Sequence, residues 1–183
     1  MSYKGSIQSE VRELTHQRIL DAVRNLSLDF WLDEITLNQI ADQANVCVQT
    51  LFRHFDSRDE LIEESLENFI HVIQDQRPDT RDVSVQSIVD ILLNNYEQNG
   101  NWIFRLQSQE KRFSGIAKWN RAWQETQLEW VQRNFAVYLQ ALSTINQQEL
   151  EEILFSLTDV QFWKIYRHDL GKSFTMSRAS AGD

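Results

Sequence analysis

Chain-breaking residues are scarce in this sequence, with five glycines and one proline among 183 residues. Glycine and proline punctuate strands and tight turns, so a chain this poor in them has few places to reverse direction and favours long helices. The apolar residues agree. Ile19, Ala22, Val23, Leu26 and Phe30 recur at helical spacing over roughly 15–30. Ile62, Leu66, Phe69, Ile70 and Ile73 form a similar face on a helix opening near Ser57. Four further helices are expected at about 83–98, 102–112, 115–142 and 147–170, with Gly100, Gly115 and Gly171 at their edges and Asn146–Glu149 as a cap-like pair. No segment reads as a strand. The expected fold class is all-α.

Helix-boundary signals cluster between the first and second of these long segments. Thr36-Leu37-Asn38-Gln39 has the form of a capping box, in which the Thr hydroxyl accepts from a free backbone N–H and the Gln side chain reaches back. Asn45 tolerates the left-handed backbone of an abrupt helix stop. Ser57-Arg58-Asp59-Glu60 is a second capping box. Between these marks lie two short helices, one with Leu37, Ile40, Ala41 and Ala44 on one side, the other over about 47–54.

Two short helices joined by a tight turn form a helix-turn-helix, in which the first braces the second in the major groove of DNA. Such a unit requires a small residue where the helices cross, and Ala41 stands there. At 100° per residue, Cys47, Leu51 and Phe55 face inward, Gln49, Thr50, Phe52 and Arg53 face outward, and Val48 and His54 lie at the edges. Gln49 suits an adenine edge, and Val48 or Thr50 a thymine methyl; Phe52 suits a sugar–phosphate wall or a methyl, and Arg53 is offered to the duplex. His54, Arg58 and the start of the first short helix, Thr36 and Asn38, are expected at phosphates. The same pattern also fits a plain three-helix bundle with a wetted polar face.

Charge opposes the nucleic-acid reading. The net charge is −9, and residues 1–75 hold six bases against fourteen acids, while 76–183 hold twelve against thirteen. Six of the acids lie in 59–75, beyond the second short helix, so local and total sign differ. Phosphate neutralisation supplies most non-specific affinity, which is therefore expected to be weak and salt-sensitive.

Residues 19–66 resemble the DNA-binding domain of the tetracycline-repressor (TetR) family through Thr36, Ile40, Ala41, Ala44, Val46, Thr50, Leu51, His54, Phe55, Ser57 and Leu61. Asn45 stands where that family has Gly, Cys47 where it has Ser, Phe52 where it has Tyr and Arg58 where it has Lys, and the Phe30-Trp31 stretch lacks the family's Gly. Further on, Thr158-Asp159-Val160, Phe162-Trp163-Lys164 and Arg167-His168-Asp169-Leu170-Gly171 resemble the last helix of one branch. The resemblance implies a helix-turn-helix domain over 1–58, a connecting helix over 59–77, and a ligand-binding and dimerisation domain of antiparallel helices over 78–183. It implies a regulator, in the usual case a repressor, that binds a palindromic operator in double-stranded DNA as a homodimer and answers a small-molecule inducer.

Fourteen of the twenty aromatic residues lie between Tyr96 and Phe174. Aromatics with polar tips suit the wall of an apolar ligand site, so Trp102, Trp119, Trp123, Trp130, Phe162 and Tyr166 are candidates for a pocket taking a flat apolar or aromatic inducer. Arg105, Arg121 and Arg133 are candidate counter-charges, and core plus dimer interface is the alternative use of the tryptophans. Residues 177–183 read as a frayed tail.

Other chemistry finds little support. The four histidines and single cysteine have no zinc-ligand spacing, no Glu-x-x-His pair suits a di-iron site, and neither a phosphate loop nor a nucleophile elbow is present. No enzymatic activity, metal or cofactor is expected. The sequence has no signal-peptide core, no membrane-length apolar run and no cysteine pair, which points to the cytoplasm. The competing function is a small-molecule-binding helical protein whose helix-turn-helix no longer reads DNA.

Overall fold

The computed structural model describes residues 3–77 and 84–172, and all regular elements within them are helical. In chain order these are α1 (Tyr3–Asp29), α2 (Leu37–Ala44), α3 (Val48–Leu51), α4 (Arg58–Asp75) and α5 (Val85–Gln107). They continue with α6 (Gly115–Asn134), α7 (Ala136–Gln140), α8 (Thr144–Leu157) and α9 (Val160–Lys164), which runs into a π-helical turn over Ile165–Asp169. The fold is all-α, as the shortage of chain-breakers predicts. Pro78 and the expected tail at 177–183 lie outside the described residues.

The chain divides into two compact units, one running to Val72 and adding Gln107–Asn120, the other formed by Ile73–Leu106 and the residues from Arg121 onward. These boundaries fall inside α4 and α6 and differ from the divisions at 58 and 77 that the resemblance implies. The reason is local chemistry in the 107–120 segment. The Gln109 side chain is fully buried and accepts the Leu32 backbone N–H at 2.8 Å. Trp119 Nε1 donates to the Leu66 carbonyl at 3.0 Å, and Phe113 and Ile116 are buried beside it in sequence. No glycine or proline marks such a boundary.

The first unit buries Ile19 and Val23 of α1, Ile40 and Ala41 of α2, Leu51 of α3, and Leu61, Ile62 and Phe69 of α4. Each large side chain so buried stabilises the fold by roughly 1.5–3 kcal/mol. The second unit buries Leu92, Tyr96 and Ile103 of α5, Trp123, Trp130 and Val131 of α6, and Val160 and Trp163 of α9.

Helix boundaries in the second half depart from expectation in three places. α5 passes straight through Gly100, because that glycine serves close packing; a Cβ there would lie 2.5 Å from Cζ3 of Trp163. The expected 115–142 helix is interrupted at Phe135, whose backbone (φ −104°, ψ 13°) leaves the helical region. The expected 147–170 helix starts earlier, at Thr144, and breaks at Thr158–Asp159, where the Asp159 carboxylate caps α9 by accepting the Gln161 N–H at 2.8 Å.

Candidate nucleic-acid interface

α2 begins on a complete capping box. Thr36 is in extended conformation, its Oγ1 accepts the Gln39 N–H at 3.2 Å, and Gln39 Oε1 accepts both the Thr36 N–H and its hydroxyl at 2.8 Å. The helix stops at Asn45, whose φ of 52° and ψ of 53° are left-handed, and the Val46 N–H returns to the Ala41 carbonyl at 2.9 Å. The turn is therefore built from an asparagine where glycine is the more common choice. Ala41 is buried at this crossing, as the motif requires.

α3 is a short rod anchored on its inner side. Leu51 and Phe55 are buried, and the Phe55 N–H donates to the Leu51 carbonyl at 2.9 Å, extending the turn past the α-helical residues. The expectation that Cys47 joins them inside is corrected. Cys47 is the residue before the helix, with extended φ of −88° and ψ of 156°, so the 100° wheel does not reach back to it. It is exposed, with Sγ 3.2 Å from Thr50 Oγ1, and hydrogen bonding from Thr50 draws its thiol pKa below the usual range.

The outward set divides clearly. Gln49 and Arg53 are exposed, and Phe52 keeps 53% of its surface in solvent. Val48, Thr50 and His54 are half-buried at the edges, while Thr36 and Asn38 stand exposed at the start of α2. His54 lies near His16, the ring centroids 5.5 Å apart, and His16 stacks on Phe55 while its Nε2 meets Glu64 Oε1 at 2.7 Å. Burial, then the neighbouring His16 and Arg12, hold the His54 pKa below the usual histidine range.

Arg58 is placed differently from expectation. Its Nε donates to the Ile35 carbonyl at 2.5 Å, Nη2 to the Leu32 carbonyl, and Nη1 to Asp59 at 2.8 Å. The guanidinium is a tie across the loop before α2, with its donors directed at the protein. Other bases are engaged as well. Arg18 Nη2 donates to the Ala44 carbonyl at 3.1 Å, where α2 ends, and Arg24 lies over the Phe69 ring at 4.6 Å.

Acidic residues are partly neutralised by the segment that joins this unit from later in the chain. Arg112 bonds Asp33 and Glu34 at 3.0 and 3.1 Å while covering Trp31, and Lys118 meets Glu67 at 2.5 Å. The Gln107–Asn120 segment brings Lys111, Arg112 and Lys118 against one acid, Glu110. A count over 1–75 misses this redistribution.

The six aromatic candidates for a ligand pocket differ in their placement. Trp119 belongs to the first unit, Trp102, Trp123 and Trp130 are buried in the second, Phe162 is 43% exposed, and Tyr166 is half-buried. A groove of about 570 Å³ in the second unit is instead lined by α6 and α8, with Arg121, Leu128, Glu151 and Phe155 among its walls. Of the candidate counter-charges Arg121 alone lines it. A different arginine, Arg77, is buried among Tyr96, Trp123 and Trp130. Among the described residues no group of three or more His, Cys, Asp or Glu side chains is placed to hold a metal ion.

Residues 19–65 match the family model described as bacterial regulatory proteins, tetR family. No curated protein matches the chain. The matched segment runs from the buried face of α1 through α2, the Asn45 turn and α3 into α4, the same frame that holds Gln49, Phe52 and Arg53 outward. Over these residues the chain is similar to the DNA-binding domain of the tetR family of bacterial regulatory proteins.

Proposed function

We propose that this regulator is a ligand-responsive repressor that grips two half-sites of a near-palindromic operator as a homodimer. A small apolar or aromatic molecule bound in the second unit releases it. The observation that carries the reading is the contrast on α3, where Leu51 and Phe55 are fixed inside while Gln49, Phe52 and Arg53 are left to solvent. Gln49 reads an adenine edge, Val48 and Thr50 lie near a thymine methyl, and Phe52 packs on the groove wall. Arg53, His54, Thr36 and Asn38 meet the backbone, and Arg58 acts by holding the loop that delivers Thr36.

We assign the dimer contact to the last helices. α8 buries none of its residues, and Ile145 is 75% exposed with Ile153, Leu157 and Ile165 also open. An apolar face of this extent suits a self-complementary two-fold contact, which the operator's symmetry would mirror. Among the described residues no helix is long and apolar enough to cross a membrane, and we place the protein in the cytoplasm.

The acidic composition favours one second reading, a small-molecule-binding helical protein whose helix-turn-helix has lost DNA. Selection of bound duplexes from a random pool separates the two. Recovery of a palindrome supports the repressor, whereas failure to retain any duplex at low salt leaves only the second reading.

A further inference from the structure

The second unit buries a cation, Arg77, that has no counter-ion among the described residues. Arg77, two residues beyond α4, is 6% exposed, and its Cζ lies 5.2, 5.5 and 5.5 Å from the ring centroids of Tyr96, Trp123 and Trp130. Nε donates to Asn95 Oδ1 at 3.2 Å and Nη1 to Gln127 Oε1 at 2.7 Å. Both acceptors are neutral amides. Nη2 is buried without an acceptor, and so is Nε1 of Trp130. Among the described residues no carboxylate lies within ion-pairing distance of the guanidinium, and Asp159, the acid at the α9 start, spends its carboxylate on the Gln161 N–H.

A guanidinium cannot shed its proton to escape this situation. Taking it out of water without an opposite charge is costly, and aromatic faces recover only part of that cost. We propose that Arg77 anchors a buried anion site that takes a small organic monocarboxylate with a flat apolar body. This rests on the ligand-responsive reading above and names the chemistry of its ligand. Both unused groups are donors, so the ligand must accept. One cation among neutral amides balances one negative charge, which favours a carboxylate over a doubly charged phosphate. The surrounding rings favour a flat hydrophobic remainder.

The site also has a route to the last helices. Gln127 Nε2 donates to Thr158 O and Oγ1 at 3.0 and 2.9 Å, and the Tyr96 hydroxyl donates to the same carbonyl at 2.8 Å. Thr158 is the residue that ends α8. A carboxylate drawing on Nη1 competes with Gln127 and disturbs its hold on that junction.

The test uses the full-length protein with benzoate, phenylacetate and indole-3-acetate, each against its neutral amide at matched ionic strength. Thermal melting and tryptophan fluorescence titration are the readouts. The expected result is a saturable rise in Tm with at least one carboxylate and none with its amide, with affinity falling about tenfold or more in Arg77→Gln. Should Arg77→Gln fail to fold, Trp130→Phe decides, since it deletes one donor and keeps a stacking ring; a several-fold loss is expected there. Acid and amide behaving alike in all three pairs, or carboxylate affinity undiminished in whichever variant folds, overturns the proposal. Operator binding is measured separately. Bound DNA with no carboxylate response removes this site and keeps the regulator, and a carboxylate response without bound DNA does the reverse.

Discussion

Arg58 Nε donates to the carbonyl of Ile35 at 2.5 Å, closing the loop that carries the chain from α1 to α2. With Nη2 on the Leu32 carbonyl, this side chain anchors the segment just ahead of Thr36 to the first residue of α4. A base that the sequence reading expects at a phosphate thus ties the start of α4 to the loop ahead of the helix-turn-helix.

Arg58→Ala is therefore expected to act through the fold. Losing two charge-assisted bonds from a half-buried group destabilises by about 2–3 kcal/mol. Urea denaturation reads this directly. Operator affinity should fall alike for all sequences, with the slope of log affinity against log salt nearly unchanged. A slope flattened by a full unit with stability intact would return Arg58 to a phosphate.

Gln49 and Arg53 should separate base reading from backbone holding. Gln49→Ala is expected to relax preference at one base pair by about 1–3 kcal/mol, seen as loss of discrimination in competition with single-substituted operators. Arg53→Ala should weaken every duplex similarly and flatten the salt slope by about one unit.

Gly100→Ala tests the packing of the second unit. The added methyl meets the ring of Trp163, a buried side chain held by its Nε1–Glu97 bond at 3.1 Å, so it has little room to retreat. Overpacking of this kind costs about 1–3 kcal/mol, which outweighs the roughly 1 kcal/mol that alanine gains over glycine in a helix. A lower urea midpoint at unchanged m is the expected result.

The helix-turn-helix was legible because its determinants are local. Thr36 with Gln39, and Asn45 at the left-handed stop, are decided within a few residues, so spacing alone locates them. Leu51 and Phe55 follow from the helical period. Cys47 was misplaced because a wheel assumes helix where the backbone is still extended. Elsewhere the decisive partners are distant in sequence. Nothing near Gly100 announces Trp163, nothing near Leu32 announces Gln109, and Arg77 gives no local sign of the rings around it. Trp102, Trp119, Trp123 and Trp130 are buried, yet a residue type specifies what it can pack against and not whether a cavity is left beside it.

His54 gives the first unit a pH dependence. Its pKa is depressed in the folded protein, first by burial and then by His16 and Arg12, from an ordinary value of 6.5. Above that value the ring is neutral in both states and its contribution to stability is complete. As pH falls below it the unfolded chain takes the proton more readily, and stability is lost progressively down through the folded value. Chemical denaturation between pH 7.5 and 5 should show this decline, with a shallower slope in His54→Gln; equal slopes would remove His54 as the source.

The central claim is that α3 presents Gln49, Thr50 and Arg53 to a duplex. Its most direct measurement is footprinting of the full-length protein, beside Gln49→Ala and Arg53→Ala, on duplexes selected from a random pool. Two protected half-sites related by a two-fold axis, with protection lost in Arg53→Ala and base preference altered in Gln49→Ala, are predicted. No protection at low salt, or protection that both substitutions leave unchanged, would contradict it.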